Sequence, residues 1–257
     1  MRFPQLKSAS EIELMRKPGR FVAEILFELA EHVKPGVSTG YLNEIAEKEI
    51  IRRGATSPFK GYQPYEGVPP FPAVICTSVN EQVVHGIPSD KVVLKQGDIV
   101  GIDLGVVFEG YVGDAAMTVA VGKVSKNVRK LMQVTQQSLV EAIMQCRVGQ
   151  RLGDIGSSVQ VYAERHGYSI VRKYFGHGIG TAMHEEPPVP NYGKPGVGAR
   201  LEPGLVIAIE PMVNEGGPET VELDDGWTVA TADGKLSAHF EHTVAITEKG
   251  PEVLTKL

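Results

Sequence analysis

Apolar residues recur at Leu14, Phe21, Val22, Ile25, Leu26 and Leu29, the three- and four-residue spacing of one helix face. Ser8 or Ser10 caps this predicted helix, and Glu11 or Glu13, three residues on, completes a capping box. A second helix is predicted from about Tyr41 to Arg53, stopped by Gly54. The same helix pair is predicted again over 125–146 and 153–166. Elsewhere the pattern changes to short apolar runs, which read as strands near 73–78, 98–106, 111–121, 205–212 and 240–247. The segments 58–72 and 186–204 are rich in proline and glycine and read as loops, the kind of segment that lines a cleft.

This order of elements occurs twice. Leu94–Asp103 (LKQGDIVGID) and Leu201–Glu210 (LEPGLVIAIE) share the leucine, the glycine, the apolar run and the terminal acid. Upstream, Gly36 and Gly149 each open a helical pattern that Gly54 and Gly167 close at the same spacing. The expectation is one domain over 1–257 made of two related halves, about 1–123 and 124–257. Its class is α+β, with helices outside a curved, mostly antiparallel sheet. Asp103 and Glu210 then occupy equivalent positions facing one centre, and Glu241 mirrors Asp114.

Those acids are out of place chemically. Asp103 ends Ile99-Val100-Gly101-Ile102, Glu210 ends Val206-Ile207-Ala208-Ile209, and Glu241 lies between Phe240 and His242-Thr243-Val244. A carboxylate in a buried strand is costly unless a proton, a partner or a cation compensates it. Asp114, eleven residues beyond Asp103 across a turn-like Phe108-Glu109-Gly110, joins it on one hairpin face if both runs are strands. The alternative is a pair of solvated turn acids, against which their apolar flanks argue. His177 sits in Gly176-His-Gly-Ile-Gly180, where small neighbours leave an imidazole accessible. As a motif this fits an ordinary loop histidine too. It is not a nucleotide loop, since the Lys-Ser/Thr is missing. Four acids and one histidine, with no base in the same runs, exceed the needs of one hard divalent ion and point to a two-metal hydrolytic centre. His85 and His184 are either polar loop residues or the donors such a centre requires.

Composition narrows the classes. A net charge of −5 and the lack of a basic stripe argue against a nucleic-acid surface. The N-terminal residues lack the apolar core of a signal peptide, and no run approaches a membrane span. Cys76 and Cys146 imply no disulfide framework. The expected location is the cytoplasm.

The strings VVHGIP (83–88), GIDLG (101–105), GYVGDAAMT (110–118), GHGIGTAMHEEP (176–187), AIEPM (208–212) and SAHFEHTV (237–244) closely resemble the type I methionine aminopeptidases of peptidase family M24, over essentially the whole chain. The glycine–histidine motif is shared with prolidases, aminopeptidase P and creatinases, whereas VVHGIP and HFEHT are more specific. The resemblance implies the "pita-bread" fold and removal of N-terminal methionine from peptides and nascent chains with a small second residue. It implies that Asp103 chelates one divalent ion, that His177 and Glu210 chelate another, and that Asp114 and Glu241 bridge both. A bridging water is the implied nucleophile and Glu210 the general base. His184 is implied to stabilise the carbonyl oxygen, and His85 to contact the scissile nitrogen. The methionine pocket maps to Phe71, Cys76 and Trp227, with Tyr65, Val68 and Met183 beside them; each also fits plain core packing. Co(II), Mn(II) or Fe(II) suits the ligand set, with Zn(II) also admissible. A monovalent cation (sodium or potassium) is implied near Asn80 and Ser237. The implied partners are peptide N-termini and the ribosome, with a monomeric enzyme, no membrane and no specific nucleic acid. The stretch 62–72 is longer and richer in proline than usual for the family, and Met183 stands where an aromatic is common. The rivals are a prolidase or aminopeptidase P and a non-catalytic binding protein. The complete ligand set argues against the latter.

Overall fold

The computed structural model describes residues 4–257. In chain order, α1 (Ala9–His32) and α2 (Thr39–Arg52) precede β1 (Ile75–Val79), β2 (Gln82–Val84), β3 (Ile99–Phe108) and β4 (Tyr111–Ala120). A second helix pair, α3 (Lys126–Met144) and α4 (Leu152–Arg165), precedes β5 (Ser169–Ile170), β6 (Gly176–Gly178), β7 (Glu185–Val189), β8 (Val206–Ile209) and β9 (Met212–Asn214). The chain finishes with β10 (Thr220–Glu222), β11 (Val229–Thr231), β12 (Ser237–His239), β13 (His242–Thr247) and β14 (Gly250–Val253). No described helix is long and apolar enough to cross a membrane.

Local chemistry accounts for the helix starts. Ser8 and Glu11 form the capping box of α1, with Glu11 N–H on Ser8 Oγ at 3.3 Å and Ser8 N–H on Glu11 Oε2 at 2.8 Å. The buried stripe begins at Ile12 and Met15 and runs through Val22, Ile25, Leu26 and Leu29. Leu14 is 41% exposed, so the stripe read from it starts one residue out of phase. The crowded apolar positions of this helix allow two neighbouring phases, and packing selects the one that closes on β4. At that crossing both partners are glycine: a Cβ on Gly113 would lie 2.6 Å from Gly19 N. Helix α2 starts at Thr39, two residues earlier than the apolar pattern suggests, because Ser38 caps it by accepting from Tyr41 N–H at 3.1 Å.

All strand pairs are antiparallel, in the orders β1-β3-β4, β10-β11-β2, β12-β9-β5 and β14-β13-β8-β6-β7. Helices α1 and α2 cover the first group over a core that includes Ile25, Leu29, Leu42, Ile75, Ile102 and Leu104. Helices α3 and α4 cover the β12-β9-β5 and β14-β13-β8-β6-β7 groups over Leu131, Ile155, Val159, Ile207, Val213 and Val244.

Matching hydrogen bonds recur in the two halves. Gly36 N–H reaches Leu94 O at 2.8 Å and Gly149 N–H reaches Leu201 O at 3.1 Å. Gly97 N–H binds Val121 O at 3.0 Å as Gly204 N–H binds Ile246 O at 2.9 Å. This register makes Asp103 the counterpart of Glu210. It also corrects one expectation. Counting back equally from Val121 and Ile246 sets Glu241 opposite Ala116 in the repeat, and makes His239 the counterpart of Asp114. A second correction concerns continuity. The predicted strand 205–212 is interrupted at Glu210-Pro211, and the strand predicted from 240 begins at His242. Pro211 has no N–H for a ladder; the carbonyl of Glu210 is instead taken by buried Asn191 Nδ2 at 3.0 Å.

The halves meet where β2 pairs with β11 and along β4, β12 and β13. Thr243 Oγ1 donates to Asp114 O at 2.7 Å and lies 3.1 Å from Asp114 N. Glu241 N–H donates to Ala116 O at 2.9 Å, and Thr118 Oγ1 to His239 O at 2.8 Å. The stranded acids lie on this seam.

Candidate metal centre

The β3–β4 hairpin turns at Glu109 and Gly110, whose φ values of 50° and 82° suit a two-residue turn of the primed type. Its register sets Asp103 opposite Ala116 and Gly105 opposite Asp114, so the two acids are diagonal neighbours on one face. Gly105 shares that face. A Cβ there would lie 2.7 Å from Pro58 Cγ and 2.9 Å from Phe59 Cε1, so glycine at 105 lets the 58–72 loop close over the hairpin. The second half delivers His177 from the middle of β6, Glu210 from the break between β8 and β9, and Glu241 from the break between β12 and β13.

One cavity of about 380 Å³ gathers the five candidate metal ligands, both candidate histidines and the candidate pocket residues, whereas Asn80 and Ser237, joined by Ser237 N–H on Asn80 O at 3.0 Å, lie outside it. Asp103, Asp114, His177, Glu210 and Glu241 line it together with His85, His184, Phe71, Cys76 and Trp227. Tyr65, Val68 and Met183 line it too. Asp114, His177 and Glu241 each offer a ligand atom within 4.8 Å of the other two. His177 Nε2 lies 3.6 Å from Asp114 Oδ2 and 3.8 Å from Glu210 Oε1. Its Nδ1 lies 2.9 Å from Gly178 O, which assigns the proton to Nδ1 and turns the Nε2 lone pair toward the carboxylates. Asp103 and Glu210 flank this triplet.

Electrostatics set the acids apart. Burial, together with repulsion from Asp114 and Glu210, pushes the Asp103 carboxyl well above the usual range. Glu241 is pushed up for the same reasons. For Glu210 burial acts upward, but His239, His177 and His85 around it outweigh that and hold it low. Burial lowers His85 to about 4 and also lowers His184, so both imidazoles are neutral near pH 7. His177 is raised: burial opposes its charge, but Asp114 and Glu210 beside it outweigh burial. Asp103 Oδ1, Asp114 Oδ1 and Glu241 Oε1 are buried without a hydrogen-bond partner. Three orphaned carboxylate oxygens and an imidazole lone pair facing one space are the donor set of a hard divalent cation, so the residues fit one.

Several neighbours were not legible as site residues in the sequence. His239 Nε2 lies 3.6 Å from Glu210 Oε2. Strand alternation two residues before Glu241 was the available signal. Tyr174 meets the His85 ring edge-on at 5.8 Å, and Tyr62 lies between His184 (5.8 Å) and Trp227 (6.3 Å). The 62–72 loop is pinned at its neck by Gly61 N–H on Phe71 O (2.8 Å) and Phe71 N–H on Tyr62 O (2.9 Å). Trp227 Nε1 ties it down at Pro69 O, 2.8 Å. The longer loop thus forms the aromatic wall of the cavity. Phe71 and Trp227 pack edge to face at 5.1 Å, over buried Cys76. Cys76 and Cys146 are both free and buried.

A pH-dependent metal effect follows. Asp103 and Glu241 have folded pKa values above their ordinary range, so the folded metal-free protein keeps protons that the unfolded chain releases. That contribution to stability falls as pH rises above about 4. A divalent cation displaces those protons, so the gap in Tm between Mn(II)-loaded and chelated protein should widen from pH 5 to pH 8. His85 and His242, both lowered to about 4, act in the opposite sense in both forms and largely cancel in the difference. At a cation concentration of about 100 Kd the stabilisation is about 2.7 kcal/mol. A gap that narrows with rising pH counts against cation binding by these acids.

Comparison with known proteins agrees. The model of metallopeptidase family M24 matches residues 13–248. A methionine aminopeptidase from Clostridium perfringens is 51% identical over 250 residues, covering 97% of this chain and 98% of that one. The crystal structure of methionine aminopeptidase from Thermotoga maritima superposes with a TM-score of 0.95 at 42% identity, over 99% of this chain and 100% of that one. A prolidase from Pyrococcus furiosus shares the pita-bread fold at 24% identity and TM-score 0.77, but this chain covers only 65% of it. This chain belongs to metallopeptidase family M24 and, within it, to the methionine aminopeptidases.

Proposed function

We propose that the protein removes N-terminal methionine from peptides and nascent chains whose second residue is small. The observation that carries this reading is the opening of orphaned buried acids and an aromatic pocket into the same cavity. Family membership makes a divalent metal its cofactor. In this reading Asp103, Asp114, His177, Glu210 and Glu241 would hold two such ions, Asp114 and Glu241 being the acids that both would share. Mn(II), Fe(II) or Co(II) suits this oxygen-rich set, and Zn(II) is admissible as well. When bound, the ions supply a water acidified toward neutral pH and Lewis-acid polarisation of the scissile carbonyl.

The protein's own groups do the rest. Glu210, held low chiefly by His239 and His177 beside it, accepts the proton as the nucleophile forms. Neutral His184, whose ring centroid is 4.5 Å from that of His177, donates a hydrogen bond to the oxygen on which charge develops. Neutral His85 contacts the scissile nitrogen. Its backbone lies at φ 60°, a conformation that costs a non-glycine residue about 1–3 kcal/mol and is kept here at a working position. Phe71, Cys76 and Trp227, bordered by Tyr62 and Tyr65, enclose an apolar slot that suits an unbranched thioether side chain. The same reading takes 1–257 as one catalytic domain, a cytoplasmic monomer that meets its substrates at the ribosome, with a monovalent cation near Asn80 and Ser237.

The test is release of methionine from Met-Ala-Ser by chelated protein after anaerobic addition of Mn(II), Co(II) or Fe(II). Release should depend on metal and fall at least about tenfold for Leu-Ala-Ser, the scale on which one pocket discriminates aliphatic shapes. Cleavage of Xaa-Pro peptides in preference to Met-Ala-Ser would assign the protein to the prolidase group instead.

A further inference from the structure

One buried charge pair is unused by the chemistry above: Lys7, in the arm before α1, with Glu185, the first residue of β7. Their side chains are 5% and 9% exposed. Lys7 N–H is fixed to Gly204 O at 2.7 Å, and its Nζ donates to Gln5 O at 3.0 Å and to Glu185 Oε2. Glu185 Oε1 accepts from Thr181 N–H at 2.9 Å and from Ala182 N–H at 3.1 Å. One carboxylate therefore gathers a short loop whose next two residues are Met183 and His184. Gly180 begins that loop directly against the Lys7 side chain, with its carbonyl held by Val112 N–H of β4 at 2.8 Å. Ile12 and Met15 of α1 pack beneath it, against Ile179 and Met183.

A carboxylate this buried holds such a loop in one shape only while its charge is compensated, and Lys7 compensates it. We infer that Lys7 is a positioning residue for His184: the N-terminal arm sets the imidazole through the Glu185 carboxylate. This rests on the role proposed above for His184.

The experiment is a double-mutant cycle on the Mn(II)-loaded enzyme with Met-Ala-Ser. Lys7→Met should lower kcat about tenfold, the scale of coupled neighbours, with KM within about twofold. In a His184→Ala background the same substitution should cause no further loss. Amide exchange at 181–185 should quicken in Lys7→Met. The pair Lys7→Met/Glu185→Gln should recover most of kcat, because the Gln oxygen still accepts both loop N–H groups without an orphaned charge. If Lys7→Met does not fold, Lys7→Arg reads the same coupling, with a smaller kcat loss that again vanishes without His184. An unchanged kcat in folded Lys7→Met, or an equal loss in both backgrounds, overturns the inference. If His184→Ala alone retains the wild-type kcat, the role of His184 fails first and the inference with it.

Discussion

Glu210→Gln is expected to fold normally and to release methionine about 10³- to 10⁴-fold more slowly, with KM little changed. The substitution keeps shape and backbone, so Asn191 still holds the carbonyl at 210. It removes the one acid of the cluster whose carboxyl is held low, the form a proton acceptor needs. It also leaves His239, His177 and His85 without the anion they face, while a neutral amide is a poor ligand for a hard cation. The measurements are kcat on Met-Ala-Ser at saturating Mn(II), and a melting curve to show that the fold persists. A variant that keeps a tenth or more of wild-type activity would remove Glu210 from both of its proposed roles.

Asp114 carries the second large effect. Asp114→Ala should lose metal as well as activity, beyond the roughly 10- to 100-fold typical of losing a group that only supports a ligand. Asp114 is 2% exposed, it belongs to the triplet that can share an ion, and its charge raises both Asp103 and Glu241. Without metal that repulsion is a burden. Asp114→Asn, which keeps the volume, should therefore melt higher than wild type when both are chelated. Each kcal/mol relieved is about 2–4 °C for a chain of this size. In excess Mn(II) the order should reverse. Mere damage to packing would lower both curves, so the crossing is the diagnostic. Two metals retained by Asp114→Ala in a metal analysis would disprove the shared role.

Much of this site was legible because its signals are local. A carboxylate at the end of an apolar run is anomalous wherever the run goes, and the Glu109-Gly110 turn fixes how Asp103 and Asp114 meet. The Ser8 cap and the stops at Gly54 and Gly167 are likewise short-range. What escaped the sequence depends on distant partners. Helix periodicity allows either Leu14 or Met15 on the buried face, and only the Gly19–Gly113 crossing chooses between them. Nothing in the local pattern distinguishes Asp114 from Ala116 as the counterpart of Glu241, and the ladder register selects Ala116. Tyr174 reaches the site from a loop whose own sequence carries no signal, and His239 meets Glu210 only because β12 and β9 pair. The Lys7–Glu185 pair joins segments far apart in the chain, and no spacing rule reveals it.

The seam between β4 and β12–β13 has a consequence for how the molecule holds its function together. Asp103 and Asp114 come from one half; His177, Glu210 and Glu241 come from the other, and each half has its own core. Neither half alone carries the proposed ligand set. The enzyme is, in thermodynamic terms, a heterodimer whose subunits share a tether, the short and largely exposed Gly122–Ser125 connection. That tether replaces a bimolecular association with an effective concentration, on the order of millimolar for short flexible links. Catalysis then doubles as a gauge of docking: whatever loosens the halves from each other also pulls the proposed ligands apart.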